Sequence, residues 1–448
     1  MNSRSLAFVA VLILPAAALL LFGPRGRTTA PTDRVVVRYW EKWAGVEGRA
    51  IQDLVAEFNE TLGRAHGVFV EYNAVSNIEQ RLLIATAGGD PPDVAGLVDS
   101  RVPQYADQNA LLPLDDAVRD AGVDLAAFKP VWIELCRYRD TLYALPSTPF
   151  TIALYYNRAL FRAAGLDPDR PPATLAEFDD AVMRLTRRDA DGRIVQLGFT
   201  VSPAMLGWWA WVWPNFFDGR LWDGHRYRVD SPPSRAAAEW IWDMRERLGR
   251  EAALDFESAA GPIESAENPF LAGRLAMVFQ GPWMANWIRT YAPDLDYGVT
   301  AFPSAAPGRR HAFASADVFV IPRGARRPRE AQLFLAWMQR PEHLEELCRR
   351  HGKVSPFRTP RPAFFANHPN PHVRVFDALA ASPDAFGFPR IPFWAEVEPE
   401  LLGLMQSLLR GDRDVDAAIA RAQRRIDAFA AEYNAMAQHR GSVERSSR

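Results

Sequence analysis

From residue 35 onward, short β-branched runs alternate with longer stretches in which apolar residues return every third or fourth position. Val35-Val-Val-Arg-Tyr39 has the pattern of a strand. Ile51, Leu54, Val55, Phe58 and Leu62 then fall on one face of a helix over 47–62. Val68-Phe-Val-Glu-Tyr72 reads as a second strand, 78–87 as a helix stopped by Gly88-Gly89 and Pro91-Pro92, and 93–98 as a third strand. This β-α-β-α-β order predicts a parallel sheet with right-handed crossovers. Ligands of such sheets gather beyond the carboxyl ends of the strands. Those ends are Glu41-Lys42-Trp43, Val75-Ser76-Asn77 and Asp99-Ser100, rich in polar and aromatic side chains.

A second unit begins near Phe150. Residues 151–156 and 194–199 read as strands, and Thr174-Leu-Ala-Glu177 is a capping box that opens a helix. Between Leu206 and Gly219 the chain places four tryptophans, Trp208, Trp209, Trp211 and Trp213. Four such close positions cannot all face inward on a helix or a strand, so at least one exposed ring is expected. A helix over 236–248 precedes a strand over 274–279 that ends in Gln280-Gly-Pro-Trp283, where Gly281-Pro282 starts another helix. A strand over 317–321 and helices over 328–339, 341–350, 398–410 and 415–438 complete the reading.

At 448 residues the chain is long for one core, and two domains are expected. A formal net charge of −2 gives no general pull toward nucleic acid or anionic lipid, so no nucleic-acid partner is expected. Met1-Asn-Ser-Arg4 followed by an apolar run over 6–22 has the pattern of a secretory signal, and an uncleaved anchor is the alternative. Either way the body of the protein is exported. Cys136 and Cys348 leave one bridge or two free buried thiols open.

The motifs of hydrolytic and nucleotide chemistry (GxSxG, GxxxxGK, HExxH) do not occur. His368 and His372 are separated by two prolines and read as a solvated loop, and Asp189-Ala-Asp-Gly192 reads as a turn. Glu41 and Glu47 have the residue types of a glycosidase pair, but Glu47 fits the first turn of a helix, where its charge favours the macrodipole. No metal, cofactor or catalytic group is therefore expected. What remains are indoles and carboxylates at strand ends. A sugar has an apolar face and a rim of hydroxyls, which those groups complement together.

Three segments carry more. Gly88-Gly-Asp-Pro-Pro-Asp93, the pair Leu142-Tyr-Ala-Leu-Pro146 and Tyr155-Tyr-Asn157, and Phe270-Leu-Ala-Gly-Arg-Leu-Ala-Met-Val-Phe-Gln-Gly-Pro-Trp283 occur in an order and spacing of their own. With them the chain, from about Val35 to about Ala435, resembles the extracellular solute-binding proteins of carbohydrate ABC importers, the family that includes maltose-binding protein. The resemblance implies an α/β periplasmic-binding-protein fold with two hinged lobes, each a mostly parallel sheet flanked by helices. Residues 34–147 with about 318–370 would form the first lobe, and 148–317 with about 371–438 the second. Residues 1–33 would be targeting segment and linker, and 439–448 a flexible tail.

By position, Trp283 and Trp394 look like the family's stacking aromatics, and Asp99 like the first-lobe carboxylate that grips sugar hydroxyls. Glu41, Trp43, Asn77, Trp208, Trp209 and Asp317 complete the expected ligand-binding set. The implied protein is a periplasmic or tethered monomer that binds a mono- or oligosaccharide and meets the permease subunits of an ABC importer. Alternatives are a periplasmic glycoside hydrolase, a receptor feeding a sensor kinase, and a binding protein for a polyamine or a glycerophosphate-type solute.

Overall fold

A computed structural model describes residues 31–446, with 208, 412 and 413 excepted. The N-terminal apolar segment and Trp208 therefore lie outside the described residues. The first lobe forms as its periodicity demands. Strands β1 (Val35–Glu41), β2 (Val68–Ala74) and β3 (Val94–Val98) are parallel in the order β2-β1-β3. Helices α1 (Gly45–Glu60) and α2 (Ile78–Ala87) make the crossovers. Ile51, Leu54, Val55 and Phe58 of α1 are buried in one core with Val37, Tyr39 and Val70 of the sheet. A polar clasp reinforces that packing: Asn59 Nδ2 donates to Val70 O at 2.9 Å, and Asn59 Oδ1 accepts from Val70 N at 2.7 Å.

Two long strands tie this sheet to the rest of the chain. β4 (Ala144–Thr151) leads into β5 (Ala153–Asn157), and the returning β8 (Ala312–Val320) pairs antiparallel with both β3 and β4. β8 is buried along its whole length, yet the sequence pattern marks only its last part, because Ser315 and Asp317 interrupt the apolar run. A register shift beside Asp317 leaves Ser147 of β4 as the extra residue, a bulge at the edge of what becomes the cleft.

The second lobe departs from expectation. Its named strands β5, β6 (Met277–Gln280) and β7 (Tyr297–Thr300) form an antiparallel sheet in the order β6-β5-β7, not a mostly parallel one. The reason is connectivity: β5 runs out from the crossover, and both later strands run back beside it. Helix α3 (Leu175–Leu185) carries the expected capping box, with Thr174 and Glu177 each satisfying the other's backbone. Helix α4 (Pro232–Leu248) covers the aromatic core, and α5 (Met284–Tyr291) follows Gly281-Pro-Trp283.

Trp209, Trp211 and Trp213 are all buried, and Trp208, the fourth ring of the stretch, lies outside the described residues. The stretch is a run of turns leading into the short helix Trp213–Phe216, so the facing rule for regular elements does not govern it. Trp213 packs among Phe199, Phe216, Phe279 and Phe302.

Helices α6 (Pro341–Arg350) and α7 (Val373–Ala380) flank the crossover. Helices α8 (Trp394–Arg410) and α9 (Val415–Ser446) close the chain. Helix α9 continues to Ser446. Cys136 and Cys348 are free and buried.

Candidate functional site

A cavity of about 660 Å³ opens between the two sheets, within the size range of small-molecule sites. The carboxyl ends of β1 and β3 supply Lys42, Trp43, Val98, Ser100 and Arg101, as the strand-end rule requires. The crossover supplies Phe150 and Asp317, and the second lobe supplies Trp283 and Trp287. Lys353, in the loop after α6, and Glu398 of α8 enter from the far part of the sequence.

Asp317 is the electrostatic anchor. Lys42 Nζ pairs with its Oδ1, and Thr148 Oγ1 donates to its Oδ2 at 2.9 Å. Burial pushes this carboxyl upward, but Lys42, Lys353 and Thr148 overcome the push and hold it below its ordinary value. Lys42 also lies 4.7 Å from the Trp43 ring centroid. The other edge of Trp43 meets His351, and its Nε1 has no acceptor among the described residues.

Trp283 stands where β6 hands over to α5. A Cβ on Gly281 would lie 2.3 Å from its indole, so only glycine lets the ring fold back there. Phe150 and Trp209 pack on Trp283 at 4.9 and 5.7 Å between centroids. Trp287, one turn along α5, lies on the same side of the helix and lines the cavity. The carboxylates of Glu47, Glu264 and Glu398 also line the wall, without a hydrogen bond or ion pair among the described residues. Burial raises the Glu47 and Glu398 carboxyls above their ordinary value.

Of the nine expected site residues, Trp43, Trp283 and Asp317 line the cavity. Five do not. Glu41 is 1% exposed and turns under the sheet, where Tyr39 Oη donates to it at 3.0 Å and Lys42 N at 2.8 Å. Burial lifts its carboxyl to about 7. Asp99 is 0% exposed and accepts from Ser315 Oγ at 2.6 Å and Ala316 N at 3.0 Å, which braces β8. Burial lifts it to about 6 against the opposing Arg390.

Trp394 is 2% exposed and packs against Trp211 and Phe388 in the core. Trp209 is buried behind Trp283 and donates from Nε1 to Phe279 O at 3.3 Å. Asn77 sits at the exposed start of α2 in a left-handed turn, away from the cavity wall. Trp208, the ninth, lies outside the described residues.

The sequence profile of a family described as bacterial extracellular solute-binding protein matches residues 43–344. The chain belongs to that family. As a solute-binding protein it is extracytoplasmic, and it is a binding protein in kind, not a catalyst. Among its described residues no helix is long and apolar enough to cross a membrane.

Three relatives illustrate the likeness. A binding protein of Brucella abortus (strain 2308) is 25% identical over 358 residues, covering 78% of this chain and 82% of its own. The sn-glycerol-3-phosphate-binding periplasmic protein of Salmonella typhimurium is 26% identical over 282 residues, 60% of each chain. The solved structure of CpMnBP1 with mannobiose bound is 26% identical, with a TM-score of 0.74 over 88% of this chain and 100% of that one.

Sequence reasoning passed over Trp287, Lys353, Glu264 and Glu398. Trp287 was within reach, since it lies four residues beyond Trp283 on a helix already expected. Lys353 carried another signal. Of 52 basic residues only three are lysines (Lys42, Lys129 and Lys353), and two of them line the cavity. The third, Lys129, is buried against Asp377.

Proposed function

We propose that this solute-binding protein captures a mono- or oligosaccharide between its lobes and delivers it to the membrane-spanning subunits of an ABC importer. The observation that carries this reading is the composition of the cleft wall. Indole faces lie beside carboxylates that have no partner, and a sugar offers an apolar face and hydroxyl protons to satisfy both. Mannobiose in the CpMnBP1 structure supports the same class of ligand.

Lobe closure is a hinge motion about the two crossing strands, which we place at Ile152 between β4 and β5 and at the start of β8. Ligand contacts made to both lobes at once would favour the closed form. Export through the apolar segment over 6–22 belongs to this reading. The solute then meets the receptor on the outer side of the cytoplasmic membrane.

The test is titration calorimetry with mannobiose, mannotriose and maltose. Trp43→Ala and Trp287→Ala are each expected to weaken binding of the best saccharide by about 1–3 kcal/mol, on the scale of lost aromatic anchors. Unchanged affinity in both variants would remove the cleft from consideration as the sugar site. The glycerophosphate alternative rests on the Salmonella relative, matched over 60% of its length, and sn-glycerol 3-phosphate belongs in the same titrations.

A further inference from the structure

Lys353 is 5% exposed, yet its ammonium meets rings where carboxylates would be expected. Nζ lies 4.5 Å from the centroids of both Phe150 and Trp283 and 6.0 Å from that of Trp43. Those rings come from the crossover, the second lobe and the first lobe. Nζ makes no hydrogen bond or ion pair among the described residues, whereas Lys42 has Asp317 and Arg101 has Glu79. Cation–π attraction offsets part of the burial cost but uses none of the three N–H donors. A donor left unsatisfied in a filled, dry cleft is costly, so the occupant must bring oxygen to it.

We propose that Lys353 is a ligand contact whose ammonium donates to ligand oxygens, and that it restricts the cleft to uncharged saccharides. This deepens the sugar-capture reading and rests on it. The restriction follows from what else is unpaired. Glu47, Glu264 and Glu398 face the same cavity without partners, so an anionic sugar acid or phosphate drawn to Lys353 meets their repulsion. A cationic amino sugar drawn to the carboxylates meets Lys353 itself. A hydroxyl both donates and accepts, and satisfies each kind of group at once.

The groups facing Lys353 set its proton affinity. Burial pulls the ammonium down to about 8, with Lys42 adding to the fall and Asp317, Glu47 and Cys348 opposing it. His351, two residues before Lys353, and His368, whose Nε2 meets Lys353 O at 2.9 Å, are both held below their ordinary values by burial. A ligand that bonds the charged form is bound with proton uptake, so affinity falls as pH rises through 8.

The experiment measures binding of mannobiose, maltose, glucosamine, glucuronate and sn-glycerol 3-phosphate between pH 6.5 and 9.5. Wild type, Lys353→Met and Lys353→Gln are compared. The neutral saccharides are expected to bind wild type, with affinity falling several-fold above pH 8, and the charged compounds are expected not to bind. Lys353→Met should weaken the neutral ligand about ten-fold or more and flatten its pH profile between 8 and 9.5. Lys353→Gln, which keeps a donor without charge, should recover part of the affinity with the same flat profile.

Melting curves of the unliganded variants report folding separately. A folded Met variant that binds a neutral saccharide as well as wild type overturns the role of Lys353 and leaves sugar capture standing. Binding of glucuronate or glucosamine in place of the neutral sugars overturns the restriction alone. Binding of sn-glycerol 3-phosphate to the exclusion of every saccharide overturns both readings.

Discussion

Glu41 and Gly96 occupy each other's space: a Cβ on Gly96 would lie 2.0 Å from the Glu41 carboxylate. The missing side chain on β3 is what lets an acid sit beneath the sheet. That acid holds its proton more firmly in the folded chain, at about 7, than its ordinary value of 4.5. Its ionisation therefore opposes folding, by an amount that grows as pH rises from 4.5 to 7 and is constant above. Glu41→Gln keeps an acceptor for Lys42 N and a donor for Tyr39. It should gain about 1–3 kcal/mol over wild type between pH 4.5 and 8, measured by chemical denaturation at both ends. A difference independent of pH would mean that the carboxyl is ionised without penalty.

Glu41 also shows what residue types conceal. Trp43 was legible because the ends of strands point to the cleft, and Asp317 and Trp283 through the family resemblance. Asp99 and Trp394 have the same chemistry and comparable positions, but they turn inward to Ser315 and Trp211. The direction of a side chain at a strand end depends on partners hundreds of residues away, and local pattern does not contain them.

At the scale of elements, regular periodicity was the reliable guide. The β-α-β-α-β start and helices α3 and α6 follow from spacing and caps alone. In α3 the reciprocal Thr174–Glu177 bonds satisfy donors that the first turn leaves open. Thr174→Ala should cost about 1 kcal/mol in urea denaturation, with little effect on ligand affinity. Where the chain leaves regular structure, the reading weakens. In the tryptophan stretch the facing rule for helices and strands gives no guide, since turns carry Trp209 and Trp211 into the second core ahead of the short helix that begins at Trp213. Strand β8 was half hidden because Ser315 and Asp317 sit where a buried strand ordinarily shows apolar side chains. Both polar residues serve the interlobe region, one bracing against Asp99 and the other anchoring Lys42.

Over the whole molecule the two lobes share strands, so their cores meet at the crossover. Cys136 and Cys348 lie in this common interior, both 0% exposed, and burial pushes both thiols far above their ordinary value. A thiol reagent at pH 8 should find no reactive cysteine in the native protein and two after denaturation. Rapid labelling of the native form would show that the interior opens on the labelling timescale. The two-lobe architecture was legible from the order of segments, but the antiparallel second sheet was not, since it is set by how β6 and β7 return beside β5.

The arrangement of indoles gives the protein an optical property of its own. Trp43, Trp283 and Trp287 border the cavity, while Trp132, Trp211, Trp213 and Trp394 are sealed in the interior. A solute that displaces water from the first group changes the polarity around those rings and leaves the second group as a constant background. Emission from the unlabelled protein can thus report occupancy directly, with the dim or bright sign of the change set by how close the Lys353 charge stays to Trp283.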